Sequence, residues 1–69
     1  MKTLTAGQKI RELRIEKGWT QQNIADILQI DRSNYCKYEL GKLELNNEML
    51  ITLAKTFNVS TDYILGLEE

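Results

Sequence analysis

An all-α fold, a compact bundle of five short helices built around one central helix pair, is what this 69-residue sequence predicts. Three observations predict it. The chain has no proline and no run of strand-forming residues between turn signals. Helix-starting side chains and helix-ending glycine or asparagine recur along its length. The stretch Thr20 to Lys42, TQQNIADILQIDRSNYCKYELGK, reads as two short helices joined by a tight turn.

Met1 to Leu4 is expected to be a frayed end. Thr5-Ala6-Gly7-Gln8 has capping-box spacing, a hydroxyl followed three residues on by Gln. The first helix then runs to about Lys17, buries Ile10 and Leu13, and stops at Gly18, a natural left-handed residue. Trp19 is expected to wedge between the first and second helices. Thr20 caps the second helix and leaves the amides of Gln21 and Gln22 unpaired at its positive end, where a phosphate could sit. Ile24, Ala25 and Leu28 form its apolar stripe. The turn is Gln29-Ile30-Asp31, with Ile30 plugging the core and Asp31 capping the third helix.

The third helix, 32–40, carries the unusual face. On a wheel at about 100° per residue, Arg32, Ser33, Cys36, Lys37 and Leu40 fall on one side. Tyr35, Tyr38 and, at the edge, Glu39 fall on the other. Such a helix packs on one side and presents a polar row on the other, as a major groove about 12 Å wide requires. Arg32 can grip guanine bidentately, Asn34 can pair with adenine or a phosphate, and Lys42 is a point charge for the backbone. Tyr35 belongs to the core. Tyr38 packs its ring and can extend its hydroxyl to a phosphate. Cys36 reads as a small side chain abutting a thymine methyl, with a redox-sensitive thiol as the sharper alternative.

Gly41 closes the third helix, and 42–46 is a connecting loop in which Leu43 and Leu45 alternate, either one a candidate for burial. Asn46 or Asn47 caps a fourth helix whose Leu50, Leu53, Ala54 and Phe57 make one apolar stripe. Asn58 suits the left-handed position, Val59 returns to the core, and Ser60 caps a last short helix carrying Tyr63, Ile64, Leu65 and Leu67. No linker or repeat interrupts residues 1–69, which form a single domain.

Composition narrows the function. A chain this short has room for one core and marginal stability. No apolar run is long enough to span a bilayer, and no signal-peptide pattern opens the chain. One cysteine and no histidine exclude a disulfide framework and any usual zinc site, which points to a reducing, cytoplasmic setting with no cofactor or metal. No nucleophile–base pair or Gly-rich phosphate loop can be assembled, so an enzyme is not expected. The net charge of −1 argues against indiscriminate nucleic-acid binding. Placement matters more. Arg32, Lys37 and Lys42 cluster, while Glu44, Glu48, Asp62, Glu68 and Glu69 follow them, and the local field steers a duplex.

The segments IRELRIEKGWTQ, IA, DRSNYCKYELGK and LAKTFNVSTDYILG, in that order, resemble the phage-repressor type of helix-turn-helix, the Cro/CI or XRE family. The resemblance covers roughly residues 6–66. It implies a lambda-repressor-like domain, with the helix-turn-helix proper at about 20–40, that binds double-stranded DNA as a transcriptional regulator of repressor type. By position, Gln21 is the phosphate-binding residue opening the second helix, and Arg32, Ser33 and Lys37 read the groove with Cys36 and Asn34 beside them. The family's charge pair falls on Arg14 and Glu39. Three residues depart from the pattern. Gln29 stands at the turn where glycine is usual, so a non-glycine residue is expected at positive φ. Leu45 replaces a loop proline, and Asn47 stands where some relatives carry a basic residue.

One third helix reads only a few base pairs, so a homodimer on a two-fold operator is expected, with half-sites roughly 34 Å apart. Tyr63, Leu65 and Leu67 are the candidate dimer face, and a further domain beyond this chain is the rival source of dimerisation. The alternative function is an antitoxin-type module whose main partner is a protein toxin.

Overall fold

Four of the five helices begin on a side-chain oxygen. The computed structural model describes residues 5–67, so the expected fraying of Met1 to Leu4 lies outside the described residues. It contains α1 (Ala6–Lys17), α2 (Gln21–Leu28), α3 (Arg32–Glu39), α4 (Asn47–Phe57) and α5 (Thr61–Ile64), and no strand among the described residues. Thr5, Thr20, Asn46 and Ser60 each accept an amide of the first turn, and the two threonines form reciprocal capping boxes with Gln8 and Asn23.

Asp31 is the exception. It takes the extended N-cap backbone of α3, but its carboxylate makes no capping bond. The expected side-chain cap is absent, and α3 opens with only the ordinary first helical bond, from the Tyr35 amide to the Asp31 carbonyl at 2.9 Å. Burial of Tyr35, fully enclosed, then holds that first turn down.

Helix endings repeat one device. Gly18, Gln29 and Asn58 are left-handed, at φ of 74°, 60° and 56°. The next amides, those of Trp19, Ile30 and Val59, reach back to the carbonyls of Arg14, Ala25 and Ala54 at 2.9–3.1 Å. That pattern satisfies carbonyls the helix itself leaves open, and it sends the following apolar residue inward. Trp19, Ile30 and Val59 all pack against the core. Trp19, expected to wedge between the first two helices, stacks its ring on Phe57 of α4, with centroids 5.7 Å apart.

Ile10, Leu13, Ile24, Ala25, Tyr35, Leu50, Leu53, Ala54, Phe57 and Ile64 form one core drawn from all five helices. In the loop after α3, Leu45 packs on that core and Leu43 stays exposed. Gly7 is buried where α1 crosses the end of α3. A Cβ there would fall onto the Tyr38 carbonyl oxygen and within 2.9 Å of that of Glu39, so only glycine permits the approach.

The left-handed glutamine at the turn generates a stability prediction. A side chain at positive φ stores roughly 1 kcal/mol of strain. Gln29→Gly removes it, partly offset by the greater entropy of glycine in the unfolded chain. Denaturant unfolding should show a gain of a few tenths to about 1 kcal/mol. A loss would mean that the Gln29 side chain contributes contacts worth more than the strain.

Candidate nucleic-acid interface

The sequence of α3, RSNYCKYE, contains one acid, and that acid points inward. Glu39 is 3% exposed, whereas Arg32, Ser33, Asn34 and Lys37 are exposed and Cys36 and Tyr38 are half-buried. The outer surface of α3 therefore carries two cations and no anion. Arg32, Ser33 and Lys37 project together, with Cys36 recessed among them. The end of the helix is fixed as well: Gly41, at φ 79°, lets the Lys42 amide return to the Lys37 carbonyl at 2.9 Å. Lys42 thus leaves the helix at a set position and stays exposed.

Beneath that surface lies a polar knot. Arg14 Nε donates to Glu39 Oε2 at 2.7 Å and Arg14 Nη2 to Oε1 at 3.2 Å, a two-pronged ion pair. Arg14 Nη1 donates to the Trp19 carbonyl at 2.9 Å. Gln21 Nε2 donates to Glu39 Oε1 at 3.0 Å. The Arg14–Glu39 pair thereby joins α1, the turn before α2, the first residue of α2 and the last residue of α3. The Tyr35 hydroxyl is enclosed beside this knot without a hydrogen bond of good geometry. Burial, and then the neighbouring Glu39 carboxylate, push its pKa upward.

Two effects compete on Glu39. Burial alone is the largest and raises its pKa, but the hydrogen bonds from Arg14 and Gln21, the nearby Tyr35 hydroxyl and the Arg14 charge outweigh it, and the net shift is downward. The guanidinium of Arg14 is correspondingly raised, chiefly by its hydrogen bond to Glu39. Both partners hold their charges firmly.

The remaining expected residues divide. Gln21 sits at the N-terminus of α2, half-buried, with its amide nitrogen directed at Glu39. Tyr38 packs along a shallow recess of about 420 Å³ that Gly7, Leu43, Leu45 and Leu65 also line. Tyr63 is half-buried, with the Lys9 ammonium 4.7 Å from its ring centre, while Leu65 and Leu67 are 45% and 73% exposed. Leu65 also borders a second recess, of about 260 Å³, with Leu50 and Ile51. Ile51 escaped the sequence reading, although it lies off the buried stripe of α4 and is 49% exposed. An apolar residue on the wrong face of an amphipathic helix was the available signal. Among the described residues no group of acids and cysteine could hold a metal ion, and no helix is long and apolar enough to cross a membrane.

The knot generates two predictions. Arg14→Met or Glu39→Met alone strands a buried charge and should cost roughly 3–5 kcal/mol, whereas the double variant should recover much of that loss. A double-mutant cycle by denaturant unfolding measures the coupling, and strict additivity would contradict it. The second concerns acid. Because the folded pKa of Glu39 lies below its ordinary value, the folded state binds that proton less readily than the unfolded chain. Its stabilisation is complete above about pH 4.5 and disappears as pH falls through the depressed folded pKa. Glu39→Gln should therefore flatten the loss of stability below about pH 4.5 in urea titrations. An unchanged acid limb would show that other carboxylates set it.

Comparisons with known proteins agree with this geometry. The helix-turn-helix domain family matches residues 7–69. The SPbeta prophage-derived uncharacterized HTH-type transcriptional regulator YonR of Bacillus subtilis (strain 168) is 42% identical over 59 residues, 86% of this chain and 55% of that protein. The HTH-type transcriptional regulator ImmR of the same organism is 35% identical over 66 residues, 96% of this chain and 52% of that protein. The chain thus spans about half the length of these curated relatives. In structure it is similar to the P22 c2 repressor protein, solved in complex with synthetic operator 9T, with TM-score 0.85 and 26% identity over 96% of this chain and all of that one. This chain belongs to the helix-turn-helix domain family, in its phage-repressor type.

Proposed function

We propose that this chain is the DNA-binding module of a transcriptional regulator, of repressor type, that reads double-stranded DNA with the outward row of α3 in the major groove. The observation that carries this reading is the inward turn of Glu39, which leaves α3 with two exposed cations and no exposed acid on a chain of net charge −1. Arg32, Ser33, Cys36 and Lys37 contact base edges. Gln21, Asn34, Tyr38 and Lys42 contact phosphates, together with the amides of Gln21 and Gln22 at the positive end of α2. The P22 c2 repressor protein, similar over its whole solved length, was solved with a synthetic operator.

Two copies acting on a two-fold operator supply the specificity that one eight-residue helix cannot. The exposed Leu65 and Leu67 form the dimer face, with Ile51 added to it and Tyr63 at its packed margin. The reading implies a cytoplasmic, non-enzymatic protein that works without a cofactor. The relatives it matches are named as transcription regulators, which favours this over an antitoxin whose main partner is a protein toxin.

Selection from random duplexes, followed by titration across a salt series, tests the assignment. Arg32→Ala and Lys37→Ala should each weaken binding to the selected duplex by about 1–3 kcal/mol with the fold intact. Lys42→Ala should instead weaken all duplexes nearly alike. With few cations per subunit, the log–log salt slope should be modest, roughly −3 to −6 for a dimer at about −0.9 per neutralised phosphate. A slope near zero, or no sequence preference, would overturn the reading.

A further inference from the structure

The carboxylate that anchors α3 also touches the side chain at the start of α2 that the reading above assigns to phosphate. Glu39 Oε1 accepts from Gln21 Nε2 at 3.0 Å, and its other oxygen is held by Arg14 Nε at 2.7 Å. Gln21 is the first residue of α2, and its side chain is neither free in solvent nor fully buried.

A primary carboxamide can present either its oxygen, an acceptor, or its nitrogen, which carries two donor hydrogens. Phosphate oxygens only accept, so a glutamine that grips the DNA backbone must offer nitrogen. A glutamine free in water offers both faces. Beside Glu39 the choice is made. Turning the Gln21 oxygen inward would set it against a carboxylate that is 3% exposed, and two acceptors would face each other where water does not screen them. One Nε2 hydrogen is committed to Glu39, and the second, fixed in the amide plane, is left to point elsewhere.

We propose that Glu39 is a positioning residue for DNA-backbone binding: it locks the Gln21 amide so that a donor hydrogen is presented to phosphate. Arg14 makes the arrangement compatible with a nearby phosphate, because its two-pronged contact neutralises the carboxylate from the protein side. The proposal rests on α2 meeting the DNA backbone, and it adds that the end of α3 governs that contact.

The test is a binding cycle on the duplex recovered by selection and on a random-sequence duplex of equal length. Glu39→Gln and Gln21→Ala should each weaken both duplexes by the same factor, roughly three- to tenfold for one lost hydrogen bond. The salt slope should stay at the wild-type value, since no cation is removed. The double variant should bind no worse than Gln21→Ala alone. In the wild-type chain the Gln21 side-chain NH2 protons, observed by NMR, should be widely split and one of them protected from exchange; in Glu39→Gln the splitting should narrow. Should Glu39→Gln fail to fold, Arg14→Met/Glu39→Met carries the same measurements, because it removes both charges together and leaves Gln21 untethered. Additive losses in the cycle, or an unchanged Gln21 signal in either variant, would overturn the proposal while leaving DNA binding standing. A wild-type chain that binds neither duplex would overturn both.

Discussion

The end of α3 is anchored by one buried carboxylate, that of Glu39. An eight-residue helix has no stability of its own in water, so its orientation must come from tertiary contacts. At its start the turn through Gln29 and the enclosed Tyr35 ring supply them. At its end Glu39 is held from below by Arg14, and Gly7 lets the backbone of α1 touch the last carbonyls. Burying an ion pair has a desolvation cost of several kcal/mol per ion, which the Coulombic attraction only balances when geometry is good. The pair is therefore poorly explained as a source of net stability. Its directional bonds to the turn before α2 and to the first residue of α2 explain it better, because they define one angle for α3 where apolar packing would tolerate several.

The same burial decides the sign of the surface. Had Glu39 faced outward, α3 would have presented two cations against one anion, within a Debye length of about 8–10 Å of each other. With it turned in, the exposed acids that follow α3 sit on other segments: Glu44 in the loop, Glu48 on α4 and Asp62 on α5. A faintly acidic chain can thus carry a locally cationic helix. Such a surface favours contact at one face and discourages diffuse association with DNA.

Most of the fold was legible because most of its signals are local. Capping side chains, left-handed glycine or asparagine and an apolar residue just beyond them act within a few residues, and the helix boundaries follow from them. Gln29 was legible only through the family resemblance, which puts glycine at that turn, and in the structure Ile30 after it makes the same inward turn as Trp19 and Val59. What stayed closed was tertiary. Leu43 and Leu45 alternate identically, and only the tertiary packing, which places Leu45 against the core and leaves Leu43 exposed, distinguishes them. Gly7 sits within a capping box and gave no sign of its close approach to α3. Asp31 has the composition of a cap but not the bond. Of the proposed interface, the outward row of α3 could be read from the helical period, whereas the tie between Gln21 and Glu39 links residues eighteen positions apart and has no local signature.

The apolar end of the molecule follows from a similar geometric argument. Leu65 lies between two recesses, one shared with Leu43, Leu45 and Tyr38 and the other with Leu50 and Ile51. Leu67, just beyond the left-handed Gly66, stands 73% exposed on the same short segment. A two-fold interface requires projections and hollows on one self-complementary patch, because each copy must offer both. A flat apolar face would serve any orientation, but a ridge flanked by hollows restricts how two copies can meet. In the proposed dimer that restriction would matter for reading DNA, since the spacing of two α3 helices along a duplex is set by how the copies pair, not by α3 itself.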